Sequence, residues 1–244
     1  MWETRVASRK NPVSMMSAID GIKKIERQTM ADLVYSDLCD LLMAGQASPG
    51  EKFTLRTLAE ALGTSAMPVR GAVNRLVAEQ ALEVLPNRSV RVPVMTRTRF
   101  SELRRIRVCL EGMAAAAAAR SPSGEQLAEI NVHHRAFSNA GRKETPDVRA
   151  LIRANKELHF SVYRAAAMPT LLQIIEGLWL QVGPIISIEA RAAKHRLSEL
   201  AAFECHQRLV DALKRGDGEA ARSAVVDDIT AAGDFILAYG NLPD

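Results

Sequence analysis

The chain has 244 residues, 48% of them hydrophobic and 25% charged, with a formal net charge of +4. That composition allows two domains with apolar cores and excludes a disordered or low-complexity chain. No apolar run reaches the roughly 20 residues of a membrane span, and residues 1–11 lack a signal-peptide core, so the sequence predicts a cytoplasmic protein with no membrane partner.

The positive balance suits a polyanionic partner. Cys39, Cys109 and Cys205 are odd in number, widely spaced and set in helical apolar patterns. This predicts buried free thiols in a reducing compartment rather than disulfides or a zinc knuckle.

Residues 1–25 show no strong periodicity and contain Asn11-Pro12 and Asp20-Gly21, so they are expected to form a mobile arm. Residues 26–95 read as a DNA-binding module. Leu55, Leu58, Ala59 and Leu62 recur at helical spacing, Gly63 and Thr64 break the pattern, and Ser65 can cap a second helix with Val69, Ala72, Val73 and Leu76 inward. The outward face of that helix keeps Arg70 and Asn74 one turn apart with Arg75 beside them, donors suited to phosphates and base edges in a major groove. Runs 82–85 and 90–94 read as two strands around Pro86-Asn87-Arg88-Ser89, a wing with Arg88 at its tip. The order is that of a winged helix-turn-helix. Between Arg56 and Arg107 arginines outnumber the acids Glu60, Glu79, Glu83 and Glu102, so the basic excess falls on this module.

After Pro93 the pattern becomes all α, and residues 96–240 are assigned to a second domain. A helix is expected from Ser101 to Arg120, stopped by Ser121-Pro122-Ser123-Gly124. Further helical stretches cover about 123–140, 146–167, 169–190, 197–215 and 217–238, interrupted by Gly141, Met168-Pro169, Gly183-Pro184 and Gly216. Six such helices suit an antiparallel bundle with a central cavity. The fold class is therefore mainly α: a winged helix-turn-helix followed by an all-α bundle.

Within the bundle, Arg107 shares a helical seam with Leu103, Leu110 and Ala114. It either pairs with Glu111 one turn on, or reaches a cavity and grips a small-ligand carboxylate with its planar fork. Asn155 and His159 project from one face, while His206 and Asp228 fall on the last two helices. On spacing alone these groups suit hydrogen bonding as well as metal binding. His133-His134 reads as surface.

Two resemblances sharpen this reading. The run from Ser48 to Val92 resembles the DNA-binding domain of the GntR superfamily of bacterial transcription regulators, through Pro49-Gly50, Leu58-Ala59, Leu62-Gly63, Ser65, Pro68-Val69-Arg70, Ala72, Arg75-Leu76 and Val90. Residues 100–238 resemble the FCD ligand-binding domain of its FadR-like branch, through Leu103, Arg107-Val108-Cys109-Leu110-Glu111, Asn155-Lys156-Glu157-Leu158-His159-Phe160, Glu204-Cys205-His206, Leu213 and Gly216-Asp217.

The resemblance implies a homodimeric regulator, a repressor rather than an enzyme, that binds a palindromic double-stranded operator and answers to a small organic-acid effector. DNA contacts would come from Arg56, Ser65, Arg70, Asn74, Arg75 and Arg88, and effector contacts from Arg107, His159 and His206. A divalent metal (Zn, Ni or Mn) would be held by Asn155, His159, His206 and Asp228.

The departures from the pattern concern both sites. Ala66 stands where an arginine is usual, Met67 replaces threonine, Gly71 replaces glutamate and Ser89 replaces a wing glycine, so the operator is expected to differ from that of close relatives. Asn155 occupies an aspartate position and Asp228 falls where a histidine is expected. A metal-free polar pocket, a metal-dependent enzyme built in the bundle and a DNA-independent interaction module are the alternatives.

Overall fold

The computed structural model describes residues 29–87, 89–142, 147–192 and 197–244, with only the backbone described for 187–192 and 197–200. The expected arm and Arg88 lie outside the described residues.

The first element is a helix that the periodicity reading did not name, α1 (Met30–Met43). Its start is set by a capping box: the Thr29 hydroxyl accepts from Asp32 N at 3.2 Å, and the Asp32 carboxylate accepts from Thr29 N at 3.0 Å. Val34, Leu38 and Leu42 form its buried stripe. β1 (Lys52–Phe53), α2 (Leu55–Ala61), α3 (Ala66–Ala78), β2 (Glu83–Val84) and β3 (Val90–Arg91) follow.

The sheet has the order β1-β3-β2, with Val90 opposite both Phe53 and Val84 in antiparallel register. Its strands are shorter than expected, because Pro93 cannot donate to the ladder and Pro86 begins the turn. Asn87 Oδ1 accepts from Ser89 N at 3.1 Å and from Ser89 Oγ at 2.6 Å, so the serine in the glycine position supports the wing turn. Gly63, at φ +62°, supplies the left-handed residue between α2 and α3. Ser65 is the N-cap of α3, but its side chain makes no capping bond.

Among the described residues the second half holds six helices. α4 (Arg97–Ala119) begins one turn earlier than the expected Ser101: Thr96 caps it, accepting from Arg99 N at 3.2 Å, while the Ser101 hydroxyl donates back to Arg97 O at 2.8 Å. α5 (Gly124–Gly141), α6 (Val148–Ala165), α7 (Pro169–Ala192), α8 (Leu197–Arg215) and α9 (Gly218–Tyr239) complete the chain. Gly183-Pro184, read as an interruption, lies inside α7.

α4 and α9 run antiparallel at close range. The alanines of α4, including Ala114, Ala115, Ala118 and Ala119, are buried in one core with Ala221, Ala224 and Val225 of α9. Side chains this small let the backbones approach. The cysteines correct the expectation of three buried thiols: Cys205 is buried, Cys39 half-buried and Cys109 exposed. No helix among the described residues is long and apolar enough to cross a membrane.

The two halves share a core that joins α1 to α7. A Cβ at Gly183 would lie 2.5 Å from Leu42 O and 2.7 Å from Met43 Cα, so only glycine lets α7 approach the end of α1 this closely. Lys156 of α6 adds an ion pair to Asp40 of α1 at 2.6 Å. Arg99 of α4 donates to both Gln80, just after α3, and Gln181 of α7.

Candidate functional site

On the outer face of α3, Arg70 and Asn74 are exposed and their side chains make no hydrogen bond or ion pair among the described residues. Ser65 and Met67 lie at the N-terminal end of the same face, Met67 being 83% exposed. In helix-turn-helix proteins the corresponding end of the second helix is the one that meets base edges.

Arg56 on α2 is paired only with its exposed neighbour Glu60, at 2.8 Å. Such surface pairs are weak and a phosphate can displace them. Arg75 is placed differently. Its guanidinium carbon lies 3.6 Å from the centroid of the Tyr35 ring, its Nε is 3.3 Å from Glu79 Oε1, and the Tyr35 hydroxyl donates to Glu79 at 2.7 Å. It fastens α3 to α1 through the ring of Tyr35 and through Nε. Gly71 also turns toward α1, where a Cβ would meet Ala31 at an ordinary 3.5 Å.

The bundle encloses the second site. α4 contributes Arg107 and Glu111, α6 Asn155, His159 and Tyr163, α7 Trp179, α8 His206 and α9 Asp228. Glu111 is fully buried and amply satisfied. It accepts from Arg107 Nε at 2.6 Å and Nη2 at 3.3 Å, from the Tyr163 hydroxyl at 2.5 Å and from Trp179 Nε1 at 3.1 Å. Arg107 pairs with Glu111, and its side chain also lines the cavity.

A tautomer follows from these bonds. Because the Tyr163 proton is committed to Glu111, its oxygen accepts from His159 Nδ1, 3.0 Å away, so His159 carries its proton on Nδ1. The Nε2 of His159 faces His206 Nε2 and Asp228 Oδ2, each at 3.2 Å, and His206 Nε2 lies 3.5 Å from Asp228 Oδ1. His206 Nδ1 is buried with no hydrogen-bond partner among the described residues.

Burial pushes the His206 pKa down, toward the neutral imidazole. Burial also opposes charge on Asp228, but the attraction of His206 and hydrogen bonds from both histidines hold its carboxyl well below the usual carboxylate range. Two imidazoles and one carboxylate thus converge.

The donor triangle permits a simple test of fit. An ion with bonds of about 2.1 Å to nitrogen and oxygen places adjacent ligands roughly 3.0–3.4 Å apart. The two Nε2 atoms lie 3.2 Å apart, His159 Nε2 is 3.2 Å from Asp228 Oδ2 and His206 Nε2 is 3.5 Å from Asp228 Oδ1, so each imidazole meets a different oxygen of a carboxylate that both could share with an ion. The residues fit one divalent ion, and an imidazole–carboxylate set suits Zn, Ni or Mn. Half-buried Asn155, one turn before His159, lines the same cavity of about 90 Å3.

Tyr163 and Trp179 are the members that sequence reasoning missed. Tyr163 carried a usable signal, lying one turn beyond His159 on the same face, whereas Trp179 carried none. His133 and His134 are half-buried on α5 and do not join the cluster.

The family model "Bacterial regulatory proteins, gntR family" matches residues 30–92, and the FCD domain model matches residues 102–231. HTH-type transcriptional regulator McbR of Escherichia coli is 32% identical over 208 residues, which is 85% of this chain and 92% of that protein. A protein named as the D-xylose utilization operon transcriptional repressor of Paenarthrobacter nicotinovorans is 30% identical over 209 residues, 86% of this chain and 89% of that one. The solved structure of E. coli McbR/YncC superposes with a TM-score of 0.80 at 31% identity, covering 88% of this chain and 99% of that one. A GntR-type regulator from Rhodococcus sp. RHA1 shares the fold, with a TM-score of 0.69 at 19% identity over 86% of this chain and 98% of that one. With an FCD match over more than half its length and relatives of this identity and coverage, the chain belongs to the GntR family of bacterial transcriptional regulators, in the FadR-like branch that carries an FCD domain.

Proposed function

We propose that the protein acts in the cytoplasm as a homodimeric repressor. The module 26–95 binds a palindromic operator through Arg56, Ser65, Arg70, Asn74 and Arg88, and the domain 96–240 binds a small organic acid beside a divalent metal held by Asn155, His159, His206 and Asp228. The carrying observation is the convergence of His159, His206 and Asp228, with donor atoms all within 4.8 Å of one another.

Charge counting favours the metal over a metal-free pocket. Arg107 is neutralised by Glu111, and Arg104, also lining the cavity, by Asp234 at 2.8 Å. With both histidines in the neutral form that binds a metal, Asp228 leaves the site one net negative charge, which repels a carboxylate in a poorly solvated cavity. A divalent ion reverses the sign and supplies a Lewis-acidic anchor for the effector. Arg107 adds an orienting N–H donor beside it.

The path from cavity to DNA runs along α7. Trp179, Val182 and Ile186 line the cavity, while Gln181 meets Arg99 and Gly183 abuts α1. A ligand that prefers one placement of α7 thereby biases the placement of α1 and the α3 it carries. The enzyme reading has less support, since the relatives are named as regulators and it leaves Arg70 and the helix-turn-helix without a role.

The test is operator binding by the full chain to its own upstream DNA, after metal analysis of protein purified without chelator. Specific, salt-sensitive binding that a metal-dependent ligand weakens is expected. Absence of preference for any genomic fragment over random duplex, or of metal binding at any excess, overturns the corresponding half of the reading.

A further inference from the structure

The cavity between α4, α6, α7 and α9 is sharply divided in polarity. Its metal-site groups gather at one end: Asn155, His159 and Asp228, with Arg107 across from them. Away from that end the walls are apolar. Phe100, Val182 and Ile236 belong to one buried cluster against which Ile186 packs, and all four line the cavity.

Phe100 precedes Arg107 on the same helix by seven positions, which separates the two ends by about 10 Å at the helical rise. The antiparallel α9 repeats the gradient, with Asp228 at the polar end and Ile236 at the apolar end. Arg104 lies between them, but its guanidinium is held by Asp234, and Gly233 makes the room for this: a Cβ there would sit 2.6 Å from Arg104 Cδ.

Among the described residues no serine, threonine or tyrosine lines this cavity. A polyhydroxylated acid would therefore press hydroxyls against Phe100, Val182 and Ile236 without partners, and each buried unpaired hydroxyl weakens binding. A dicarboxylate would bring its second charge to the apolar end, where the only guanidinium is already neutralised. The space of about 90 Å3 holds about six to nine water-sized groups.

We infer that the effector is a short monocarboxylate with an apolar body, bound with its carboxylate at the His159–His206–Asp228 end and its hydrocarbon toward Phe100, Val182, Ile186 and Ile236. This rests on the metal-site reading for the carboxylate end only. The apolar end stands on the cavity wall itself.

The experiment titrates the full-length chain, loaded with Zn2+, with acetate, butanoate, hexanoate, gluconate and succinate, following heat and melting temperature. Affinity is expected to climb from acetate to hexanoate by roughly fourfold per methylene, with gluconate and succinate no tighter than acetate. An Ile186→Asn variant, altered at a half-buried wall position, is expected to flatten that climb while Zn2+ binding stays unchanged. A flat chain-length series in the unaltered protein, or gluconate or succinate binding more tightly than hexanoate, overturns the inference. So does a well-folded Ile186→Asn protein that keeps the full slope. Failure to bind Zn2+ overturns the metal reading instead, and the same acids titrated into metal-free protein then decide the apolar class by the same criteria.

Discussion

The Tyr163 hydroxyl donates to Glu111 Oε2 at 2.5 Å, which leaves its oxygen to accept from His159 Nδ1 while Nε2 of the same ring faces Asp228. Tyr163→Phe removes the acceptor for His159 Nδ1 and frees the ring to change tautomer. Loss of such an outer partner typically costs about 10–100-fold in metal affinity, and that drop is the expected result in a chelator competition against the unaltered protein. Equal affinity in the two proteins would show that the tyrosine does not orient the ligand.

Removing Glu111 tests the buried ion pair. Glu111→Ala strands the guanidinium of Arg107, which is 7% exposed, together with the donors of Tyr163 and Trp179. A loss of about 3–5 kcal/mol is expected from urea unfolding, the scale for a buried charge left uncompensated. A loss below about 1 kcal/mol would mean that water reaches the site and replaces the carboxylate.

Arg70 and Arg75 sit on neighbouring turns of α3 but should separate into different phenotypes. Arg70→Ala is expected to weaken operator binding and make it less steeply salt-dependent, with little change in melting temperature. Arg75→Ala is expected to cost stability, about 0.5–2 kcal/mol, through the lost stack on Tyr35 and the lost pairing with Glu79. Equal effects of the two on stability would contradict the placement of Arg75.

The two glycines of α7 offer a paired comparison. At Gly183 an alanine Cβ would overlap the backbone of Leu42 and Met43, whereas at Gly177 nothing lies within 4 Å. Gly177→Ala should stabilise by up to about 1 kcal/mol through helix propensity. Gly183→Ala should destabilise by about 1–3 kcal/mol through overpacking. Thermal or denaturant unfolding of both variants checks the contrast, and a stabilising Gly183→Ala would mean that α1 does not need its close seat.

Thiol chemistry should follow burial. Burial pushes the Cys39 and Cys205 thiols up to about 11 from an ordinary value of 9.0, so alkylation near pH 8 should reach exposed Cys109 first. The linkage has a definite sign: between 9.0 and about 11 the folded chain keeps protons that the unfolded chain releases. Stability attached to these thiols is thus complete below pH 9 and lost as pH rises toward 11. Mass spectrometry of brief alkylation, and unfolding followed above pH 9, test the two parts.

Most helices were legible because their apolar stripes repeat with helical spacing, as in α2, α3 and the five helices after α4. The start of α4 was misread because Ser101 and Thr96 are both adequate caps, and the choice depends on where Pro93 and the wing release the chain. α1 went unnamed although Thr29 and Asp32 spell a capping box. The lesson at the site is different. Asn155 and His159 share a turn and could be paired by eye, but the contacts of Glu111 with Tyr163 and Trp179 span 52 and 68 residues, and no local pattern encodes such distances. The stack of Arg75 on Tyr35 is hidden for the same reason, since the two lie 40 positions apart on different helices.

Gly183 carries a hydrogen atom where every other amino acid has carbon, and the end of α1 occupies the space so released. The gap between the half of the molecule that senses and the half that reads is therefore one methyl group narrower than any other side chain would permit. At that spacing a rotation or slide of α7 meets backbone rather than yielding side chains. The joint is a backbone-to-backbone contact, and a displacement of α7 is expected to carry the end of α1 with it.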